Sequence, residues 1–537
     1  MKVKTISGAV SALLGTLAMA GAAHAGVIAG TGATPSSTQL GGTDAISFKV
    51  AEGQAGHALL VPYFTAQNGQ MSVLHLVNTD LDNGKVVKVR FRGANNGDSL
   101  LSVHVLLSPG DVWTGAVTAG ADGLAQLTTT DRSCTLPHLA QGVAQPFSTG
   151  RLDPAWTPEV MAANTREGAI EAIVMADVPQ AALYGPNGAS QSALSVAIQQ
   201  VKEVAPCSES VLNAALMQDT SSEAVAASRG LAAPSGQLSA TWYVIDVPGS
   251  TTFSGAATAI QAINNTGLPA RGNYMLFPPT DTAVSQPERY TADPLLVSAG
   301  LATRNKDAQG NTAFPTTAAV VLARYNDLPD LSTPVYLPAT ADSARATAGD
   351  LSRLLAVREF KNQYVLDDSI SARTDWVVAT PTKRYSVAKD YSQSDPSNQR
   401  VYSLVPPSGG GEQYFHSLNT QVRDGVCSRG GSWSFRMGSR DGSLTPESVI
   451  SDAASQPESC GALSVLSFSD TRSAVSSSVA RKTLQGTFSN GWAIFRMPDA
   501  RGIPLIGTAF TKLSNPSATP DVAANYGLTF PHVVKAP

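Results

Sequence analysis

Two histidines and a handful of paired carboxylates are the residues here whose types and spacing could do chemistry. His75 lies in the run Met71-Ser-Val-Leu-His-Leu-Val-Asn-Thr, and His104 in Ser99-Leu-Leu-Ser-Val-His-Val-Leu-Leu. If those runs are neighbouring strands, the two imidazoles could meet and hold a metal ion. The ordinary role of a histidine in an apolar strand is a satisfied core or sheet-face residue. Asp80 and Asp82 share one turn, Asp327 and Asp330 another, and Asp367 and Asp368 a third. Oxygen ligands on loops suit Ca²⁺ in an extracellular protein. None of these pairs has the spacing of an EF-hand loop, so solvated turn carboxylates are the competing reading. The metal candidates are therefore His75, His104, Asp80 and Asp82. Ca²⁺ is the one cofactor they suggest.

The chain has four cysteines, Cys134, Cys207, Cys427 and Cys460, with no C-x-x-C pair. Four cysteines allow three connectivities. Neighbourhood favours Cys134–Cys207 and Cys427–Cys460, each closing a loop within its own half of the chain. Other chemical signatures are missing. There is no G-x-S-x-G nucleophile elbow, no H-E-x-x-H zinc helix, no Walker A loop and no G-x-G-x-x-G after a strand. No catalytic residues are assigned, and an enzyme is not expected. A glycosidase pair of carboxylates needs a three-dimensional separation that sequence does not supply.

The elements that would position these residues are strands. Between His57 and Thr118 lie five short runs rich in Val, Leu, Phe and Trp, and Asn, Asp, Gly or Pro separates each from the next. That is the pattern of consecutive antiparallel strands in a sandwich. Gln67-Asn-Gly, Asp82-Asn-Gly, Asn95-Asn-Gly-Asp and Pro109-Gly-Asp supply the turns. Trp113 is expected as a core anchor. Gly168 to Val178 should return to the same sandwich, with Glu171 as an edge or rim carboxylate. Residues 190–204 and 208–218 have helical spacing and form a helical insertion beside Cys207. Further strands are expected at 238–247, 252–264 and 373–380, a short helix at 350–356 capped by Asp350, and a flexible loop over 386–412. Three strands open with Trp and stop at Pro, from Trp242, Trp376 and Trp492, a weak echo with no fixed period.

Composition agrees. Only 15% of the 537 residues are charged, 6% are aromatic, and there are 46 Gly and 33 Pro. Such a chain suits many short strands joined by turns. A net charge of −4 without a basic cluster leaves no footprint for nucleic acid. Lys2 and Lys4, the apolar run Ala9 to Ala20 and Ala23-His24-Ala25 form a secretory signal peptide over 1–25. No later segment is apolar enough for a membrane-spanning helix. The expected organisation is a flexible lead-in over 26–45, a β-sandwich over 46–247 and a second β-rich region over 248–537. The fold class is mainly β, an immunoglobulin-like sandwich with a further β-rich region and short helical insertions.

Several blocks resemble a group of secreted, largely uncharacterised proteobacterial cell-surface proteins. They are Leu59-Leu-Val-Pro-Tyr-Phe, Leu76-Val-Asn-Thr, Ser108-Pro-Gly-Asp-Val-Trp-Thr, Arg166-Glu-Gly-Ala-Ile-Glu and Asp375-Trp-Val-Val-Ala-Thr-Pro-Thr-Lys-Arg. The resemblance implies export and a β-rich surface role, and it brings no catalytic residues. The expected function is an exported structural or adhesive protein of the cell surface, such as a surface-layer subunit. Its partners would be further copies of itself or envelope components, in the periplasm, on the surface or outside the cell. The alternative is an extracellular or periplasmic binding protein for a carbohydrate or small ligand, and a hydrolase ranks third.

Overall fold

The computed structural model describes residues 26–51, 53–218, 220–277, 301–303, 305–306, 312–313, 341–389, 391, 400–403, 414–415, 419–422, 425–428, 433–450, 459–469, 473–484, 487–497, 499–519 and 522–537. The expected signal peptide, the apolar run from Ala319 and the pair Asp327 and Asp330 lie outside these residues. The chain is mainly β. The five runs after His57 are strands Ala58–Thr65, Gln70–Asn78, Asn83–Gly93, Ser99–Leu107 and Val112–Ala119.

These strands split between two sheets. Asn83–Gly93 and Ser99–Leu107 pair as a hairpin, and Glu167–Pro179 inserts between Asn83–Gly93 and Ala58–Thr65. Gln70–Asn78 joins the other sheet, between Val112–Ala119 and Leu238–Asp246. Alternate residues explain the packing. Leu59, Val61, Val87, Val89, Val103, Val105, Ile170 and Ala172 of the first sheet meet Leu74, Leu76, Trp113, Ala240 and Val244 of the second in one core. Trp113 is fully buried there, as expected of an anchor.

The rear face of the first sheet is buried too. Val86, Leu106, Ile173 and Met175 pack against short helices Ala193–Ile198, Glu209–Leu216 and Glu223–Ser228 and against helix Ala341–Leu354. The Cys134–Cys207 disulfide pins this helical layer to strand Cys134–Leu136. The first helix stops earlier than its spacing suggested. Lys202 and Glu203 both adopt positive φ, and the chain turns back between Val201 and Val204.

A second sandwich follows. One sheet runs Ser448–Ile450, Trp433–Ser439, Asn490–Arg496, Glu359–Val365, Val533–Lys535, and the other Arg481–Thr483, Leu463–Ser467, Arg373–Ala379, Ile506–Thr519, Val522–Pro531. Trp376 and Val378 point into its core. Val377 and Ala379, on the other face of the same strand, join the core of the first sandwich. The two units are thus stacked. The second disulfide, Cys427–Cys460, lies in this unit.

Several boundaries differ from expectation. Thr251–Ala256 and Thr258–Ile263 belong to the two sheets of the first sandwich, so that unit runs past residue 247. The lead-in is tied down: Gly26–Ile28 pairs with Tyr274–Leu276, and Leu40 is fully buried. The 386–412 segment holds paired strands Val387–Lys389 and Arg400–Ser403. Asp350 sits inside helix Ala341–Leu354, ion-paired with Arg353, and does not cap it.

Candidate functional site

The two candidate histidines do not meet. His75 points outward from the second sheet, where its Nδ1 bonds Thr114 Oγ1 at 2.8 Å. His104 lies in the first sheet opposite Lys88 and Leu136, on the rear face and fully buried. Alternation places both sheets between them. Each has the sheet role that is usual for a strand histidine.

Asp80 and Asp82 part company as well. Asp82 is exposed. Asp80 is buried, and it is not a solvated turn residue: its Oδ2 lies 2.6 Å from Lys85 Nζ. Its Oδ1 accepts from the backbone N–H groups of Asp82 and Asn83 at 3.0 and 3.1 Å. Burial pushes this carboxyl up, but the Lys85 charge and these hydrogen bonds outweigh it and hold it at about 2. The Lys85 ammonium stands where a cation bound to Asp80 would stand. Among the described residues, no three His, Cys, Asp or Glu side chains group to hold a metal. Asp367 caps a short turn through Ser369.

Lys85 also reaches Asp177 Oδ1 at 2.7 Å and Ser235 Oγ at 2.8 Å, while Ser235 Oγ lies 2.7 Å from Asp177 Oδ2. Lys85 and both carboxylates are buried. Burial pushes the Asp177 carboxyl up against the attraction of Lys85. Ser235 has a nucleophile's hydroxyl, yet its lysine neighbour is engaged by two carboxylates, Asp80 and Asp177, and is not free to serve as its general base. His57, nearby and fully buried, is held neutral: burial lowers it to about 4, against a hydrogen bond to Pro234 O at 2.9 Å. This is a charge knot that ties the strand Glu167–Pro179 to the turn after Gln70–Asn78.

Ser235 also forms part of the floor of an open hollow of about 960 Å³. The lead-in loop makes one wall, through Gly32, Gly42 and Asp44. That loop is held by Glu223, whose carboxylate accepts from Thr31 N at 2.6 Å and Leu40 N at 2.8 Å. Thr79, Gln237, Gln261, Lys49 and Arg271 also line it.

A second polar constellation runs between the two sandwiches. Glu171 pairs with Arg92 at 3.1 Å and with Arg384 at 2.6 Å. Its strand is central, so it is a buried bridging carboxylate and not the edge residue expected. Asp153 pairs with Lys389 at 2.7 Å, and Asp246 pairs with Lys512. Glu167 accepts from Tyr63 Oη at 2.9 Å, from Ser477 Oγ, and from Val479 N at 2.9 Å. Each interface carboxylate comes from the first unit, and each partner across the interface from the second.

Sequence reasoning missed Lys85, Asp177, Ser235, Arg271 and, apart from Glu171, the interface acids. The legible signal was charge at odd places, lysine and arginine in the apolar strand Lys85-Val-Val-Lys-Val-Arg-Phe-Arg. No helix among the described residues is long and apolar enough to cross a membrane, and the two disulfides suit an oxidising, exported environment. No known family matches the chain, and comparisons with curated proteins and with solved structures find no match either.

Proposed function

We propose that this chain is an exported structural or adhesive subunit of the cell surface that associates with further copies of itself through sheet edges. The observation that carries this reading is a pair of outer edge strands with apolar side chains in solvent. At Ser47–Val50 the flanking Ile46 is 55% exposed and Val50 44%. At Val533–Lys535 the corresponding figures are 59% for Val533 and 54% for Val534. Each strand ends its sheet among the described residues. Open strand edges with β-branched residues are templates for pairing with another chain. The two edges belong to different sandwiches, so a contact between them is heterologous and propagates into an array. The buried ionic contacts between the sandwiches support the same reading, because a load-transmitting subunit needs its parts fixed relative to one another.

The test is protease treatment of intact cells with electron microscopy of isolated envelopes, repeated for Val533→Lys/Val534→Lys. Cleavage together with an ordered array that the variant loses is the expected result. Full protection until the outer membrane is opened would overturn the surface assignment. An array that is unchanged in the variant would overturn the edge contact. The hollow favours a second reading, binding of a small polar ligand.

A further inference from the structure

We propose that Lys85 and Asp177 close into an intramolecular amide bond, with Asp80 as proton acceptor and Ser235 as donor to the acyl oxygen. The two residues stand directly opposite each other on neighbouring strands, Lys85 in Asn83–Gly93 and Asp177 in Glu167–Pro179, so their side chains share a face. Lys85 and Asp177 are fully buried, and Asp80 is buried beside them. An amine and an acid do not condense in water, because both are ionised and well solvated there. Burial raises the cost of those ions, and an amide removes both. A fixed contact between reacting groups also acts as an effective concentration of up to about 10⁸ M.

Each group that the step needs is in place. Lys85 Nζ lies 2.7 Å from Asp177 Oδ1, the oxygen that leaves. The other oxygen, Oδ2, accepts from Ser235 N at 3.1 Å and from Ser235 Oγ at 2.7 Å. Two donors on one carboxyl oxygen stabilise the negative charge that gathers there as the carbon becomes tetrahedral. On its other side Lys85 Nζ lies 2.6 Å from Asp80 Oδ2, within reach for proton transfer. Burial pushes the Asp177 carboxyl toward its neutral, electrophilic form, against the attraction of Lys85. Burial would raise Asp80 too, but Lys85 and its hydrogen bonds hold it at about 2, so it stands ready as a carboxylate.

The atoms balance. The Lys85 ammonium gives one proton to Asp80, and its nitrogen attacks the carboxyl carbon of neutral Asp177. A C–N bond forms and the bond from that carbon to Oδ1 breaks. Oδ1 leaves with the acid proton and a second nitrogen proton as water, and Asp80 later releases its proton to solvent. No oxidant or co-reactant is needed. Ser235 borders the open hollow, which gives the released water a way out. The ion pair described above is the state before closure. Among the described residues Lys512 pairs with Asp246 alone, so it lacks the second carboxylate and stays an ion pair. The inference is independent of the edge-association reading.

The experiment is tryptic peptide mapping of the purified full chain by mass spectrometry. A lysine held in an amide resists trypsin. Peptide 50–88, uncut at Lys85, should therefore appear joined to peptide 167–202, lighter than their sum by one water. Lys85→Arg keeps the positive charge and should leave 167–202 unjoined. Asp80→Asn removes the proton acceptor and should leave Lys85 cleavable, with a circular dichroism spectrum like the parent's. The proposal is overturned if the parent yields separate peptides 50–85 and 167–202. Peptide 50–88 lighter by one water but unjoined would also overturn it, by placing the bond at Asp80. Joined peptides in Asp80→Asn would overturn the role given to Asp80. The map of the parent decides the bond itself, even where a variant fails to fold.

Discussion

The two sandwiches solve the problem of a buried interior in different ways. The second fills its core with rings: Phe360 stacks on Phe495 at 4.8 Å, Tyr364 on Phe468 at 4.3 Å, and Trp376 lies 5.0 Å from Phe468. The first fills its core mainly with Val and Leu and then covers the rear of one sheet, where Lys88 and Arg90 are buried. Layer count explains the buried charges of the first unit. A sheet with a single buried face can send its polar residues to water. The sheet carrying Asn83–Gly93 is covered on both faces, so every charge on it needs a partner inside the protein. The same constraint governs the contact between the sandwiches, where carboxylates of the first unit meet Arg384, Lys389 and Lys512 of the second.

The comparison separates two kinds of buried lysine. Lys85 joins parts of one unit, and Lys512 joins two units. Lys85→Met removes the ammonium between Asp80 and Asp177 and leaves two carboxylates in a buried site. We expect a loss of about 5 kcal/mol, the upper end for breaking a buried pair. It should appear in urea unfolding as a shift of the whole transition. A loss below about 1 kcal/mol would mean that water reaches the site and that the knot is not structural.

Lys512→Met should cost less, about 3 kcal/mol, because the Asp246 carboxylate it abandons keeps a hydrogen bond from Gly249 N at 3.0 Å. The expected signature differs in kind. Calorimetry should show one transition splitting into two as the sandwiches uncouple. A single shifted transition would instead show that the shared core around Phe510, which touches Tyr63 at 5.8 Å and Phe253 at 5.3 Å, holds the units together without the ion pair.

How much of this was legible follows from the reach of each interaction. Strands from Ala58 to Ala119 were legible because two-residue alternation and Asn-Gly turns are local. Asn68 and Gly69 do take the positive φ values that such a turn requires. The pairing order was not legible. Nothing near Glu167 announces that its strand inserts between Ala58–Thr65 and Asn83–Gly93, or that this makes Glu171 central and buried. The disulfide partners were recovered because neighbourhood along the chain matched neighbourhood in space. Asp80 was misjudged for the opposite reason. Its turn reads as solvent-exposed, and only Ser235, 155 residues away, together with Asp177 closes over it. Arg271 stood in a stretch with no periodicity, and its setting depends on the loop around Gly41.

The smallest effect, and the one that tests the interface most finely, is a dependence on pH. Asp98 of the first unit receives a hydrogen bond from Tyr391 beyond the second unit's strand Val387–Lys389. Burial pushes the Asp98 carboxyl up to about 7, against that hydrogen bond and the positive charges of Arg151 and Arg92, with Asp153 adding to the rise. A carboxyl whose folded value exceeds its unfolded value of 3.8 stabilises the fold when protonated. That stabilisation is complete below about pH 4 and is lost as pH rises through 7. Asp98→Asn resembles the protonated form at every pH. The variant and the parent should therefore have similar stability near pH 4. By pH 8 the parent should be the less stable, by on the order of 2–4 kcal/mol, since each tenfold change in proton affinity corresponds to about 1.4 kcal/mol. Other buried carboxyls contribute to both proteins and cancel in the difference. Asp80 adds nothing in this window, because its contribution is lost only as pH falls from 3.8 through about 2. Parallel stability curves for the two proteins from pH 4 to 8 would show that Asp98 is ionised throughout. The contact with Tyr391 would then be one more charged link between the units, and the neutral acid would have no part in it.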